Sequence, residues 1–195
     1  MPTADEFDAL YAGKPPWDID RPQPAFRGYA DSHGLLGSVL DVGCGTGEHA
    51  LMAAALGLDA TGVDTSPTAI GLARSKALER GVNAGFLVWD ALDLQGLGRQ
   101  FETVLDCGLY HIFDDEDRSR YVESLSACVV PGGRYMMLCF SDRVPPGFGP
   151  RRISEAEIRE SFSDGWRIES IEPTVLEVTL TPAGISVWLA IVTRS

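Results

Sequence analysis

Residues Val39-Leu40-Asp41-Val42-Gly43-Cys44-Gly45-Thr46-Gly47-Glu48 join an apolar run ending beside an acid to three glycines spaced two apart. A continuous apolar run marks a strand buried on both faces. The glycine turn after it bares N–H groups to a ligand that comes close to the main chain. Several nucleotide-binding sheets use such a turn, but two familiar versions fail here. The dinucleotide fingerprint expects its third glycine where Glu48 stands, and the phosphate loop expects a Gly-Lys-Ser/Thr that does not follow. An acid at the start of the next helix would also repel phosphate. Asp41 and Glu48 instead suit a cationic or zwitterionic ligand, with open backbone for its carboxylate.

Outward from this stretch, apolar runs alternate with segments of helical period, the pattern of a parallel sheet with helices on both faces. The strands are expected at Ser38–Val42, Asp59–Val63, Ala84–Trp89, Thr103–Cys107, Gly133–Phe140, Trp166–Ile171 and Ile185–Thr193, bounded by Gly, Pro or Asp. Ser66-Pro67 caps and opens a helix carrying Ile70, Ala73, Ala77 and Leu78. A second helix carries Tyr121, Val122, Leu125, Cys128 and Val129 and is expected to end at Pro131-Gly132-Gly133. Met136, Met137 and Cys139 read as core. Residues 1 to about 37 stand outside the alternation, as one or two short helices around a Pro-rich segment. So does the Ser141–Arg152 loop, which precedes a helix opened by a Ser154/Glu157 capping box.

With 195 residues, 45% of them apolar and 23% charged, a single domain is expected over residues 1–195: an amino-terminal segment to 37 and a core from 38. The net charge of −12, with 16 Lys plus Arg, argues against a nucleic-acid partner. Cys44, Cys107, Cys128 and Cys139 form no CxxC pair or zinc spacing and read as reduced thiols. The acidic start MPTADEFDAL lacks the positive charge of a signal peptide, and no apolar run approaches the roughly 20 residues that span a bilayer. A cytoplasmic protein without a membrane partner is expected.

Further acids follow the glycine stretch. Asp64, Asp90 and Asp106 end or nearly end the second, third and fourth strands, so with Asp41 four acids are expected at the edge where open α/β sheets bind ligands. In this ordered set the chain resembles the class I S-adenosylmethionine-dependent methyltransferases, over nearly its whole length. That resemblance implies a Rossmann-like, seven-stranded, mostly parallel sheet, with S-adenosyl-L-methionine as cofactor and S-adenosyl-L-homocysteine as product. It implies that Asp41, Gly43 and Gly45 wall the methionine part, and that Asp64 with Thr65 holds the ribose hydroxyls. Asp90 and Ala91 would read the adenine edge, and the backbone at Asp106 and Cys107 would meet the methionyl amine. Pro131-Gly132-Gly133 matches the family's turn before the fifth strand.

Methyl transfer from a sulfonium is an in-line displacement, so the protein mainly holds a nucleophile in place and excludes water. The Asn/Asp-Pro-Pro-Tyr stretch of nucleic-acid amino-methylating enzymes is replaced here by Asp106-Cys107-Gly108-Leu109. No metal-binding acid cluster is evident. Pro15-Pro16-Trp17-Asp18 with Arg21-Pro22-Gln23-Pro24 is similar to small bacterial enzymes of the thiopurine and thiol methyltransferase neighbourhood. Asp106–Phe113 and Gly149-Pro150-Arg151-Arg152 add a resemblance to mycobacterial heterocyclic-toxin methyltransferases. This implies an amino-terminal helical lid with Trp17 beside the cofactor, and a small aromatic hydroxyl, heterocyclic nitrogen or thiol compound as methyl acceptor, with detoxification as a role.

Tyr110 and His111 follow the fourth strand where the nucleophile should lie, and His111 reads as base or orienter, or as packing under the sheet edge. His33 and His49 read as surface or packing residues. Trp17 is a lid contact or an apolar plug. Arg151 and Arg152 are solvated charges or part of a substrate lid with Pro145-Pro146-Gly147-Phe148. A protein that binds the cofactor or its product as a sensor or partner subunit is the competing reading, and an NAD-dependent oxidoreductase the third.

Overall fold

The computed structural model describes residues 3–145 and 150–195. Of the stretches above, Met1, Pro2 and the Pro146-Gly147-Phe148-Gly149 portion of the loop lie outside the described residues.

Val39–Val42 forms β1, buried at every position. It pairs in parallel with β2 (Ala60–Asp64) on one side and β4 (Phe101–Cys107) on the other. β3 (Ala84–Val88) lies outside β2, and β5 (Val129–Phe140) runs parallel to β4. β7 (Thr181–Arg194) is antiparallel to β5 and carries β6 (Trp166–Val178) at its edge. The order β3-β2-β1-β4-β5-β7-β6 is the seven-stranded, mostly parallel sheet expected. The chain steps outward from β1 to β3 and then returns to β4 on the other side of β1, so the connections part above β1 and β4 and leave a crevice at their carboxyl ends.

Helices cover both faces. Leu40, Val42 and Val104 meet Tyr121 and Leu125 of α5 (Asp115–Cys128) on one face. Val39, Leu105 and Met136 meet Phe26 of α2 (Pro24–His33) and Met52 and Ala53 of α3 (Glu48–Ala55) on the other. Each fully buried Val, Leu, Phe or Met side chain among them contributes about 1.5–3 kcal/mol. Met136, Met137 and Cys139 are fully buried, as expected. The Ser66 hydroxyl accepts the Ala69 amide at the start of α4 (Pro67–Arg80), and Ser154 and Glu157 close a complete capping box on α6 (Glu155–Ser161).

Two regions differ from expectation by more than two residues. α5 stops at Cys128, and Val129 is already extended and paired with Phe101. Pro131-Gly132-Gly133 therefore lies inside β5, where the pairing register shifts, instead of ending the helix. The last two strands are also longer than Trp166–Ile171 and Ile185–Thr193, forming a hairpin that turns between Val178 and Thr181. Its extension is held by the amino-terminal segment: Thr179 N donates to Pro16 O at 2.8 Å, and the Gln23 side chain bonds both backbone groups of Glu177, at 2.9 and 3.0 Å. That support comes from residues more than 150 positions away, so local pattern carries no trace of it.

The amino-terminal segment forms α1 (Ala4–Leu10) and α2, the two short helices expected. Asp8 of α1 accepts the Thr68 amide at 2.9 Å and the Ser66 hydroxyl, which docks the segment on the start of α4. Among the described residues no helix is long and apolar enough to cross a membrane.

Candidate active site

One cavity of about 730 Å³ opens at the carboxyl edge of the sheet, between the glycine turn, the amino-terminal segment and the tip of the β6–β7 hairpin. Gly43 and Gly45 line it with φ of 64° and 51°, a region costly to other residues. A Cβ on Gly45 would stand 2.7 Å from Tyr11 Oη, so the turn accepts no side chain there.

The four acids do not converge as the sequence suggested. Only Asp64 lines the cavity. Its oxygens accept the Gly45 amide at 2.8 Å and the Ser66 amide at 2.9 Å. Burial raises its pKa, and those two amides oppose the rise. Thr65 lines the wall beside it. Asp41 sits one residue inside β1, fully buried and outside the cavity wall; Oδ2 accepts the Ala50 amide at 3.1 Å, and Oδ1 has no hydrogen-bond partner among the described residues. Asp90 is exposed and caps the short helical stretch Ala91–Leu97 by accepting the Leu92 amide, while Ala91 itself reaches the cavity. Asp106 points to the opposite face, caged by the Tyr135 hydroxyl at 2.7 Å, the Leu109 amide at 2.8 Å, the Tyr121 hydroxyl at 2.9 Å and the Tyr110 amide. Burial pushes its pKa up to about 6 against those bonds. From that strand end Cys107 and Gly108 line the cavity. The period of a strand explains the correction: neighbouring side chains leave on opposite faces, and an acid one residue early turns inward.

Tyr110, expected beside the nucleophile, does not line the cavity. It is fully buried, donates to Ser161 Oγ at 2.7 Å and packs on Phe162, away from the cavity. His111 does line the cavity. Its Nδ1 accepts the Phe140 amide at 3.0 Å, its ring packs on Phe140, and burial pushes its pKa down to about 3. Arg151 reaches the rim and pairs with Asp115 and Glu157, each at 2.6 Å. Arg152 is not part of the wall; it donates to the carbonyls of Pro145 and Pro150.

Trp17 lines the cavity and donates to Tyr11 Oη at 3.2 Å. Several residues that complete this side were not singled out by the sequence. Lys76 of α4 bonds Thr46 and Glu48 at the glycine turn, both at 2.8 Å, and also Asp20 at 3.1 Å and Asp18 at 3.6 Å in the amino-terminal segment. Asp20 has a φ of 56°, strained for a non-glycine residue, at the point where Lys76 and Lys14 hold it. Burial works against the charge on Glu48, yet Arg80 and Lys76 hold its carboxyl below the usual range. His49 takes the packing alternative: it is buried against Phe26, its Nε2 accepts the Gln23 amide at 3.2 Å, and its Nδ1 faces Asp41 Oδ1 at 3.7 Å. Lys76 carried no local signal, since its partners Thr46, Glu48 and Asp20 lie far off in the sequence, while Glu48, which the sequence offered to a cationic ligand, is instead paired with Lys76 and Arg80. His33, by contrast, stacks on Tyr29 at the end of α2.

Residues 39–133 match the family described as a methyltransferase domain. The chain is 37% identical to the 2-heptyl-1-hydroxyquinolin-4(1H)-one methyltransferase of Mycobacteroides abscessus, over 88% of this chain and 81% of that protein. A solved structure concerned with the conversion of a disulfide bond into a thioacetal group during echinomycin biosynthesis shares 37% identity and a TM-score of 0.89, covering 99% of this chain and 93% of the other. The fold is shared with the magnesium protoporphyrin IX methyltransferase of Synechocystis PCC 6803 with bound S-adenosylhomocysteine. The TM-score there is 0.70 at 24% identity, over 88% of this chain and 80% of that one.

Proposed function

The chain belongs to the methyltransferase family, and from that premise we propose that it methylates the hydroxyl oxygen of a small aromatic heterocycle, with S-adenosylmethionine as the methyl donor. One observation carries this reading. The glycine turn, Asp64 and His111 line a single cavity whose remaining wall includes Ile19, Leu176, Val178 and Ile185, so donor and apolar acceptor would share one enclosure. The residues fit the donor: the bare backbone at Gly43 and Gly45 gives room for a close approach, and the Asp64 carboxylate stands where ribose hydroxyls can donate. When bound, S-adenosylmethionine supplies a methyl group on a sulfonium. Gly43 and Gly45 take its amino-acid portion, Asp64 and Thr65 its ribose, and the wall at Ala91 its base. Trp17 and Tyr11 close the amino-terminal side against water, which strengthens every electrostatic interaction inside. His111 orients the acceptor.

The relative that methylates 2-heptyl-1-hydroxyquinolin-4(1H)-one supports an aromatic acceptor with an acidic hydroxyl. Methylation would cap that group, the chemical sense in which transfer detoxifies. The echinomycin-related structure concerns sulfur chemistry, so thiols belong in the test. The experiment is incubation with methyl-labelled S-adenosylmethionine and a panel of hydroxyquinolinones, phenols, heterocyclic amines and thiols. Label on the oxygen of hydroxyquinolinones is expected. Tight cofactor binding without transfer to any member would favour a sensor, and label on thiols alone would move the acceptor to sulfur.

A further inference from the structure

We propose that His111 serves as a fixed hydrogen-bond donor and not as a base, so that the site takes acceptors that arrive already ionised: aromatic hydroxyls acidic enough to be anions near neutral pH. This rests on the methyl-transfer reading above. Because Nδ1 of His111 spends its lone pair on the Phe140 N–H at 3.0 Å, the single proton of the neutral ring must sit on Nε2. Burial keeps a second proton off the ring. Nε2 has no protein partner among the described residues, yet it is not sealed: the buried unpaired side-chain atoms there are Asp41 Oδ1 and Arg152 Nε. It therefore offers its N–H to the cavity that His111 lines. To act as a base, Nε2 would first have to lose that proton to Nδ1, setting two donors against each other at Phe140.

Nor does any other wall group among the described residues serve as a base. On β4, burial raises the Cys107 thiol far above its usual range, and it does the same to Cys44 in the glycine turn and to the Tyr11 phenol. On β2, Asp64 is committed to two amides. On α3, Glu48 is paired with Arg80 and Lys76, and His49 Nε2 accepts the Gln23 amide. Asp18 of the amino-terminal segment faces Lys76. The charged groups that remain on the wall are the cations Arg21, paired with Glu177, and Arg151 at the rim. For an anionic acceptor no base is needed. The oxygen lone pair forms the new O–C bond as the S–C bond breaks, that bond's electron pair stays on sulfur, both charges cancel and no proton is released.

The test is the pH dependence of kcat/KM for the wild-type protein across hydroxyquinolinones and halogenated phenols of graded acidity, since kcat/KM reports ionisations of free enzyme and free acceptor. The expected profile climbs to each acceptor's own pKa and levels above it, with the break moving unit for unit along the series. A break at one pH for every acceptor, or a rate that falls above the acceptor pKa, would overturn the inference while leaving methyl transfer intact. Absence of transfer to all acceptors would overturn the underlying reading as well. A second arm compares variants: His111→Gln keeps a carbonyl for Phe140 and an N–H for the acceptor and should retain most activity. His111→Leu should lose about 10- to 100-fold in kcat/KM, the worth of one hydrogen bond to a charged oxygen. S-adenosylhomocysteine affinity should be unchanged in both. Equal loss in the two variants would contradict the donor role.

Discussion

The Asp64 carboxylate accepts the Gly45 amide at 2.8 Å, so the acid that ends β2 and the turn that leaves β1 form one continuous wall. Asp64→Ala removes that bond and, on the function proposed above, the grip on the donor ribose. Calorimetric titration with S-adenosylhomocysteine should show binding weakened by about 1–3 kcal/mol. The melting temperature without ligand should fall less than the melting temperature with ligand. Unchanged affinity would remove Asp64 from the donor site.

Gly45→Ala should be more damaging to binding than to folding. Its φ of 51° makes a side chain unfavourable by about 1 kcal/mol, and the new Cβ would press on Tyr11 Oη at 2.7 Å, lifting the segment that closes the cavity. The measurement is donor KM beside thermal unfolding. A variant that melts lower but binds normally would show that Tyr11 does not close the site.

Lys76 is the tie between closure and turn. Lys76→Met cuts its bonds to Asp20, Thr46 and Glu48 and leaves Asp20 strained beside Lys14 alone. Faster proteolysis before residue 23 and a several-fold rise in donor KM are expected, corresponding to about 1 kcal/mol for a network that is partly open to solvent at Asp20. An unaltered cleavage rate would contradict the tie.

Asp106 yields a pH signature unrelated to catalysis. Its carboxyl has a pKa of about 6 in the folded chain, above the 3.8 of an unperturbed aspartate, so between those values the folded state binds more protons than the unfolded state. Stability from this residue is present at low pH and is lost as pH rises through 6. Relative to wild type, Asp106→Asn should gain stability from pH 4 to 6, by on the order of 2–3 kcal/mol, and hold a constant difference above. Denaturant titrations at several pH values measure this. A flat difference would mean that the Tyr121 and Tyr135 bonds keep Asp106 ionised throughout.

The sheet was legible because parallel strands buried on both faces leave uninterrupted apolar runs, as at Val39–Val42 and Val104–Leu105. The glycine turn was legible because a positive φ at Gly43, Gly45 and Gly47 demands that residue type, and the cavity position of Asp64 because it is the last residue of its strand. Asp41, Asp106 and Tyr110 misled because a one-residue shift along a strand or turn sends a side chain to the other face, and composition does not record the shift. Tyr11, Lys76 and His49 act across separations that no local pattern spans, and the β6–β7 extension is held by Gln23 and Pro16 from the far end of the chain.

The most direct test of the central claim is a crystal structure with S-adenosylhomocysteine. The ligand is expected in the cavity beneath Tyr11 and Trp17, its ribose hydroxyls on Asp64 and its sulfur opening toward the space that His111 lines. A ligand bound elsewhere, or one whose ribose leaves Asp64 untouched, would contradict it.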